Sequence, residues 1–345
     1  LRVSGLADFV GAVNVGQGGL QSYGALSVLG TATSVFNGVV STTGLITNSV
    51  TTTNLYATGT ISGSLLNLSM FDRANLITSF NPGVTSLQDI DVAGKYAYVT
   101  DNATLDALLI FDINDPFNPI LVSSSTLGSA GATVPENGIV DGKYIYIAGQ
   151  ASTAALEIYE LVDNGARIRR LGVFTHANGG SGAGLAVAGK YAYISSGSNI
   201  MSIDVSTPSS TRLASTATLS GSTSREIFVS GNRAYVGKDN TLMSIVDITN
   251  PEAMTQLSSV TSTSITGRTV YVSGNLAYVI GIQSGVAHLH IYNVASSTNP
   301  IFMGRTAVDT STGRYSLQVM GGMAYVGTPS NGLALVDVSS STNPR

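Results

Sequence analysis

The sequence is poor in charged residues and contains no cysteine. Only 10% of its 345 residues are Asp, Glu, Lys or Arg, against about 25% in an average soluble domain. Without cysteine there is no disulfide, no thiolate nucleophile and no cysteine-ligated metal site. The net charge of −4 gives none of the basic surface that a nucleic-acid partner needs. No apolar run reaches about 18 residues, so we expect no membrane span.

Glycine, serine and threonine are abundant instead, with 39 glycines. Together with many β-branched residues, this composition favours strands and turns over helices. The chain starts at Leu1 and carries no signal-peptide pattern. We interpret it as a mature or trimmed product and expect an extracellular or cell-surface location; an arbitrary boundary at Leu1 is the alternative.

One six-residue phrase recurs six times along the chain. It reads GKYAYV at Gly94, GKYIYI at Gly142, GKYAYI at Gly189, GNRAYV at Gly231, GNLAYV at Gly274 and GGMAYV at Gly321. The spacings are 48, 47, 42, 43 and 47 residues. Periods of about 20–50 residues are typical of solenoids, propellers and other repeat arrays.

Each repeat unit contains four strand-length segments. In residues 86–126 these are SLQDIDVAG, YAYVTD, ALLIFDIND and ILVSSSTLG, and the last two are separated by the turn PFNP. Helical repeats would need a period near 3.6 residues, which is not present. Four short antiparallel strands in about 40–50 residues predict a blade of a β-propeller. We therefore predict an all-β fold with six four-stranded blades.

The third strand and its turn resemble the LVIVD repeat, a propeller-forming repeat of bacterial and archaeal surface proteins. The matching segments are LLIFDINDPFNP from Leu108, IMSIDVSTP from Ile200, LMSIVDITNP from Leu242 and LALVDVSSSTNP from Leu333. Two units depart: LEIYELVDN from Leu156 lacks the Asp-Pro turn, and LHIYNVASSTNP from Leu289 has Asn293 in place of Asp. The resemblance covers roughly residues 74–345 and implies the fold, but it implies no shared catalytic residues.

The last unit ends after three strands, so the ring needs a closing strand. ANLITSFNPGV, from Ala74, reads like the missing fourth strand. We predict that it closes the ring by completing the blade of residues 316–344 through Asn75, Leu76, Ile77 and Phe80, which leaves no sheet edge exposed. The alternative is exchange, in which this strand completes the blade of a neighbouring subunit and builds a polymer.

Residues 1–71 form a segment of a different kind, and the propeller is expected to occupy residues 72–345. The segment holds only two charged side chains, Arg2 and Asp8, and alternates Val, Leu or Ile with Thr, Ser and Asn between glycines. So β-prone a segment would expose sticky edges unless it paired with other chains. It resembles shaft segments of phage tail fibres and bacterial surface fibres, which implies a β-rich oligomerising shaft. A flexible stalk and a small independent β-domain are the alternatives.

Candidate chemical sites are few, and each has a structural interpretation. The repeated Asp112, Asp204, Asp247 and Asp337 are best interpreted as turn residues that bond nearby N–H groups. Lys95, Lys143 and Lys190 are expected at solvated hairpin tips. Asp101, Asn102 and Asp106 have oxygen spacing that could suit calcium, but they lack the full DxDxDG pattern. His288 and His290 share one face of a strand without a third ligand in recognisable spacing, and His176 lies alone in a loop.

No motif for nucleophilic, metal-dependent or phosphate chemistry is present, so we expect neither an enzyme nor a cofactor. The prediction is a structural subunit of an extracellular filament or surface fibre that displays its propeller for adhesion. Its expected partners are other copies of the chain, and glycans or cell-surface proteins met through many weak contacts. The alternatives are a trimeric phage-like receptor-binding fibre and a propeller enzyme acting on polysaccharide, the latter needing clustered acids and bases in the central channel.

Overall fold

The computed structural model describes residues 87–102, 107–127, 134–150, 154–176, 184–221, 223–260 and 265–345. All of them belong to Ala74–Arg345, the second of the two units into which the chain divides. The shaft segment of residues 1–71 lies outside the described residues. The closing strand with Asn75, Leu76, Ile77 and Phe80 also lies outside them, so both remain predictions.

Six antiparallel sheets follow one another along the described chain, and each is one blade of a propeller. The first three blades contain four strands each, hydrogen-bonded in chain order. Blade one comprises β1 (Leu87–Ala93), β2 (Tyr96–Asp101), β3 (Ala107–Asp112) and β4 (Ile120–Thr126). Blade two comprises β5 (Val134–Asp141), β6 (Tyr144–Gln150), β7 (Ala154–Val162) and β8 (Arg167–Thr175). Blade three comprises β9 (Leu185–Ala188), β10 (Tyr191–Ser196), β11 (Asn199–Asp204) and β12 (Arg212–Thr218).

The remaining blades repeat this order, but the last contains three strands. Blade four comprises β13 (Ser224–Ser230), β14 (Arg233–Lys238), β15 (Met243–Asp247) and β16 (Thr255–Val260). Blade five comprises β17 (Ile265–Ser273), β18 (Leu276–Gln283), β19 (Val286–Asn293) and β20 (Ile301–Asp309). Blade six comprises β21 (Ser316–Met320), β22 (Met323–Thr328) and β23 (Gly332–Asp337). The all-β fold with six blades predicted from the sequence is confirmed.

The recurring phrase builds the hairpin between the first and second strands of every blade. Its leading glycine has a left-handed backbone at all six positions, with φ between 55° and 61°. Glycine adopts this conformation without the steric cost that a Cβ imposes. The Tyr-Ala-Tyr-Val segment that follows is the second strand, and in blade one Tyr96, Ala97, Tyr98 and Val99 are all buried. The phrase therefore recurs because each blade needs one tight turn followed by a second strand that packs in the core; in blade six one face of that strand is open, with Tyr325 37% exposed.

Apolar side chains of adjacent blades interlock at five interfaces. One cluster joins blades one and two, for example, and includes Ile110 and Ile147, which are almost wholly buried. Similar clusters join blade two to three, three to four, four to five and five to six. Each fully buried Ile or Leu contributes about 1.5–3 kcal/mol relative to an exposed one. Because each blade packs only against its neighbours, the core is a series of interfaces around the ring.

The other face of blade one and the outward face of blade six share no such cluster among the described residues. Blade one has its own cluster around Val99, Leu109 and Phe111. On blade six, Met320 and Leu333 are 66% and 50% exposed. We call this sixth interface the seam. It is where the predicted closing strand would be added.

The edge strand β23 shows where a fourth strand would begin in blade six. In blades one, three and four the fourth strand starts opposite the repeated Asp, as in Asp112 with Ile120. In blade six, Arg345 takes that position: its N–H donates to the Asp337 carbonyl at 3.1 Å, and the Asp337 N–H donates to the Arg345 carbonyl at 2.7 Å. No other described residue pairs with the outer edge of β23.

Blade two departs from the Asp-Pro turn as its sequence indicates. A short 3-10 helix at Asp163–Gly165 connects β7 to β8, and Asn164 within it has a left-handed φ of 58°. Within the described ranges, no helix has the length and apolar character needed to cross a membrane.

Candidate functional site in the central channel

The first strands of successive blades pack side by side and surround a central channel. The channel contains a cavity of about 630 Å³ lined from all six blades. Ligand pockets in proteins typically measure about 300–1,000 Å³. Six charged residues line this cavity, and we call them the channel cluster: Asp89, Glu136, Arg225, Glu226, Arg268 and Arg314.

Two arginines of the channel cluster come from neighbouring blades. Arg225 forms a two-pronged ion pair with Asp239, with Nε to Oδ1 at 3.1 Å and Nη2 to Oδ2 at 2.6 Å. Arg268 donates from Nη2 to the Thr312 carbonyl at 3.0 Å, and its Nε has no hydrogen-bond partner. Burial lowers the pKa of Arg268, and the positive charge of Arg225 lowers it further. The pair of arginines is therefore balanced by one carboxylate.

Two carboxyls of the channel cluster have raised pKa values. Asp89 Oδ2 accepts the Gly138 N–H at 2.9 Å, which ties blade one to blade two. Burial nevertheless raises the pKa of Asp89 to about 6. Burial, helped by the negative charge of Asp89, raises the pKa of Glu226 to about 8. At neutral pH Glu226 is thus mainly protonated and able to donate a hydrogen bond, while Asp89 is mainly ionised.

The third arginine connects blades that are not adjacent in sequence. Arg314, just before β21 of blade six, forms an ion pair with Glu136 on β5 of blade two. Burial lowers the pKa of Arg314, and the nearby carboxylate of Asp89 opposes that change. Glu136 also accepts a long hydrogen bond of 3.5 Å from Asn102. The carboxylate of Glu136 therefore neutralises the positive charge of Arg314.

The three calcium candidates do not form a described metal site. Asp101 ends β2 and is fully buried, and neither of its carboxylate oxygens has a hydrogen-bond partner. Asn102 accepts from Gln88 at 2.9 Å and donates to Glu136. Asp106 lies outside the described residues. Among the residues the structure describes, no three His, Asp or Glu side chains are placed to share a metal ion.

The four repeated aspartates make the contacts of turn residues. In each, Oδ1 accepts the backbone N–H two residues further on, at 2.8–3.0 Å, as Asp247 does from Thr249. Hydrogen bonds lower the pKa of all four: the largest contribution comes from Lys95 for Asp112, and from the Ser or Thr two residues on for Asp204, Asp247 and Asp337. Asn293 makes the same bond to Ala295 in blade five, at 2.9 Å.

The two neighbouring histidines lie on one face of β19, with ring centroids 5.9 Å apart. His290 is buried beside Phe302 and Tyr292. Burial lowers its pKa to about 4, and the charge of Arg305 adds to this effect. His176 stacks against Phe174 at the end of blade two.

Lys95 stands immediately before β2 of blade one, and Lys143 stands immediately before β6 of blade two. Each of these lysines forms an exposed ion pair.

Sequence reasoning missed the channel cluster, although a signal was present. Glu136, Arg225 and Arg268 each lie six residues before the glycine of the recurring phrase, at the start of a first strand. A polar residue recurring at one offset of the innermost strand marks the channel wall. The loop from Thr328 to Gly332 of blade six also contributes to the cavity.

Comparison with known proteins agrees with this architecture. The LVIVD repeat family matches residues 86–126, 179–218, 221–262 and 315–345. These are blades one, three, four and six, whereas blades two and five are those whose turn sequences depart from the pattern. The chain therefore contains LVIVD repeats. No curated protein matches the sequence.

Several solved structures share the fold at low identity. A candidate 6-phosphogluconolactonase of Bacteroides fragilis matches with a TM-score of 0.62 and 13% identity, over 76% of this chain and 83% of that chain. A periplasmic gluconolactonase of Pseudomonas aeruginosa matches with a TM-score of 0.58 and 14% identity, over 75% and 87%. Sqt1 of Saccharomyces cerevisiae matches with a TM-score of 0.58 and 9% identity, over 77% and 76%. At these identities the similarity defines the fold alone.

Proposed function

We propose that this protein is a structural subunit of an extracellular filament or surface fibre and that it displays its propeller for adhesion at the cell surface. Residues 1–71 assemble the chains through β-strand pairing, and the propeller of residues 72–345 contacts glycans or cell-surface proteins. The single observation that carries assembly is that, among the described residues, only Arg345 pairs with the outer edge of β23 in blade six. A strand edge with unpaired backbone groups is a template for pairing with another strand.

The geometry of that edge supports strand addition. Arg345 makes the first pair of hydrogen bonds to Asp337. Along the rest of the outer edge of β23, no described residue is paired, so a further strand could be added there. Leu333 and Leu335 on β23 are 50% and 37% exposed. A strand laid along this edge would gain backbone hydrogen bonds and cover these side chains. Residues 74–80 can supply it within one chain, or from one chain to the next.

Deletion tests whether residues 74–80 complete blade six. We expect the variant lacking residues 74–80 to melt at a clearly lower temperature, because β23 would lose its partner strand. A matched deletion of seven residues within 1–71, at 40–46, serves as the control and should leave the melting of the propeller unchanged. An unchanged melting temperature for the deletion of 74–80 would exclude closure by this strand.

Electron microscopy tests assembly directly. The full chain is compared with a truncated chain that starts at Asp72. Filaments from the full chain and single discs from the truncated chain support the proposal. Short three-fold rods would favour the trimeric receptor-binding fibre. Discs from both chains would refute assembly through residues 1–71, and filaments from both would place assembly in strand exchange at blade six.

A propeller enzyme is the second candidate, and the channel supplies the observation that favours it. Asp89 and Glu226 have pKa values of about 6 and about 8. Two carboxyls whose pKa values differ in this way can act as base and acid in catalysis. Of the solved structures with this fold, one is described as a candidate 6-phosphogluconolactonase and another as a periplasmic gluconolactonase. We nevertheless propose binding without catalysis, because only 20 Asp and Glu occur in the chain and many lie in turns. Hydrolysis of a polysaccharide or lactone that Glu226→Gln abolishes would reverse this choice.

A further inference from the structure

We propose that the channel cluster binds a small hydroxylated carboxylate, such as the uronic acid unit of an acidic glycan. The carboxylate of the ligand would lie against Arg268 and Arg225, and its hydroxyl groups would contact Asp89 and Glu226. The inference rests on the proposed adhesive function, since it names the class of glycan that the displayed propeller would recognise. The observations that carry it are the distribution of charge and the unused hydrogen-bonding groups around the cavity.

The wall formed by blades four and five has one positive charge in excess. Arg225 and Arg268 lie close enough to influence one another, and the single carboxylate of Asp239 is engaged in both prongs by Arg225. Arg268 retains an Nε–H without a partner. Guanidinium groups bind carboxylates through paired N–H donors. A single carboxylate would accept a hydrogen bond from this unpaired N–H and neutralise the excess positive charge.

The rest of the lining, which we call the acidic wall, comprises Asp89 of blade one and Glu226, which lies next to Arg225 on β13 of blade four, and it sets the rest of the ligand. Arg314 is occupied by its ion pair with Glu136, so it adds no free positive charge. Asp89 is an acceptor for hydroxyl groups, and Glu226 in its protonated form both donates and accepts. Because the pKa of Glu226 is raised to about 8, that form dominates at neutral pH. Hydroxyl groups satisfy such a wall, whereas a second negative charge would be repelled by Asp89.

These two walls distinguish a carboxylate from other anions. Inorganic phosphate carries up to two negative charges at neutral pH and would place one of them against the acidic wall. A neutral hexose would satisfy the acidic wall but leave Arg268 without a counter-charge. The cavity of about 630 Å³ lies within the range of pockets that hold small ligands. A sugar ring bearing one carboxylate matches the charge, the hydroxyl pattern and the volume.

Ligand-observed NMR and isothermal titration calorimetry on the full chain test the proposal at pH 7. The probes are D-glucuronate, D-glucose as the neutral sugar, and inorganic phosphate as the anion without a sugar ring. We expect binding of D-glucuronate in the micromolar to millimolar range, with D-glucose and phosphate at least tenfold weaker. Equal affinity for D-glucose, tighter binding of phosphate, or no binding of D-glucuronate would each overturn the proposal.

Variants place the bound sugar in the channel. Arg268→Gln should weaken D-glucuronate at least tenfold and leave any weak binding of D-glucose unchanged. Arg268→Lys keeps the charge, loses the planar fork and should retain intermediate affinity. Arg305→Gln is the matched control, since Arg305 is an exposed arginine of the same blade that bonds Gln283 at 3.2 Å outside the channel. Unchanged affinity in a folded Arg268→Gln protein would overturn the assignment.

The proposals on assembly and on the ligand can fail separately. Filaments without binding of D-glucuronate would leave the structural subunit intact and refute the acidic sugar. Selective binding of D-glucuronate by a protein that forms no filaments would support the channel site and refute assembly. If Arg268→Gln does not fold, the contrast between D-glucuronate and D-glucose on the unaltered chain still decides.

Discussion

Replacing Glu226 by Gln should make the stability of the propeller less dependent on pH between 4.5 and about 8. Burial and the charge of Asp89 raise the pKa of Glu226 from 4.5 to about 8. The folded state therefore binds the proton more tightly than the unfolded state. The free energy of unfolding is highest below about pH 4.5, falls as pH rises toward 8 and is constant above it. Glutamine mimics the protonated carboxyl and removes this loss.

The magnitude follows from the two pKa values. Each pH unit between 4.5 and about 8 corresponds to about 1.4 kcal/mol, which gives an upper limit of roughly 5 kcal/mol. The Glu226 side chain is partly exposed to water in the channel. This water stabilises the carboxylate, so we expect about half of the limit, roughly 2–3 kcal/mol.

Urea unfolding at several pH values from 5 to 9 measures this difference. The unaltered chain should lose roughly 2–3 kcal/mol more between pH 5 and 9 than Glu226→Gln does. Glu252→Gln is the control, because Glu252 is half-exposed and pairs with Arg212 at the surface. Parallel curves for the unaltered chain and Glu226→Gln would refute the buried, proton-binding role of Glu226.

Three further predictions concern packing, acid and the turns. Gly267→Ala should lower the free energy of unfolding by about 1–3 kcal/mol, because a Cβ there would lie 1.9 Å from the Leu242 carbonyl oxygen; an unchanged thermal midpoint would contradict this close approach. The folded state favours neutral His290, whose pKa is lowered to about 4, so its stabilisation is lost as pH falls from about 6.5 to 4. His290→Gln should therefore flatten thermal midpoints measured across that interval, and a slope equal to that of the unaltered chain would count against this. Asp247→Ala should cost about 1 kcal/mol in denaturant unfolding through loss of its turn hydrogen bond, whereas Asp247→Asn should cost less, since asparagine makes the same bond in blade five; equal losses would remove the turn bond as the cause.

The repeated fold was predictable because its signals are local. The glycine turn, the buried Tyr-Ala-Tyr-Val strand and the Asp-containing turn each act within a few residues. The glycine turn and the strand after it recur once per blade, and the Asp-containing turn recurs in four of the six blades, so the number and order of strands follow from the sequence. The three described strands of blade six were also predictable, because the last unit repeats the first three strand segments of the other units.

The channel cluster was not predicted, because its members meet only when the ring forms. Arg314 and Glu136 are separated by more than three blades of sequence and pair across the channel. The raised pKa of Glu226 depends on burial and on Asp89, which lies in a different blade. Such properties arise from the curvature of the whole ring, whereas the repeat describes one blade at a time.

The seam between blade six and blade one also has a mechanical consequence. Blade one, which begins the described chain at β1, shares no apolar cluster with blade six among the described residues. In a fibre anchored through its N-terminal segment, tension would first reach the predicted closing strand of residues 74–80 in blade six, which precedes β1 in the chain. The five interlocked interfaces would bear load together, whereas the seam would part first. The propeller would then open as a ring at one hinge, before any blade unravels, and force could control access to the channel.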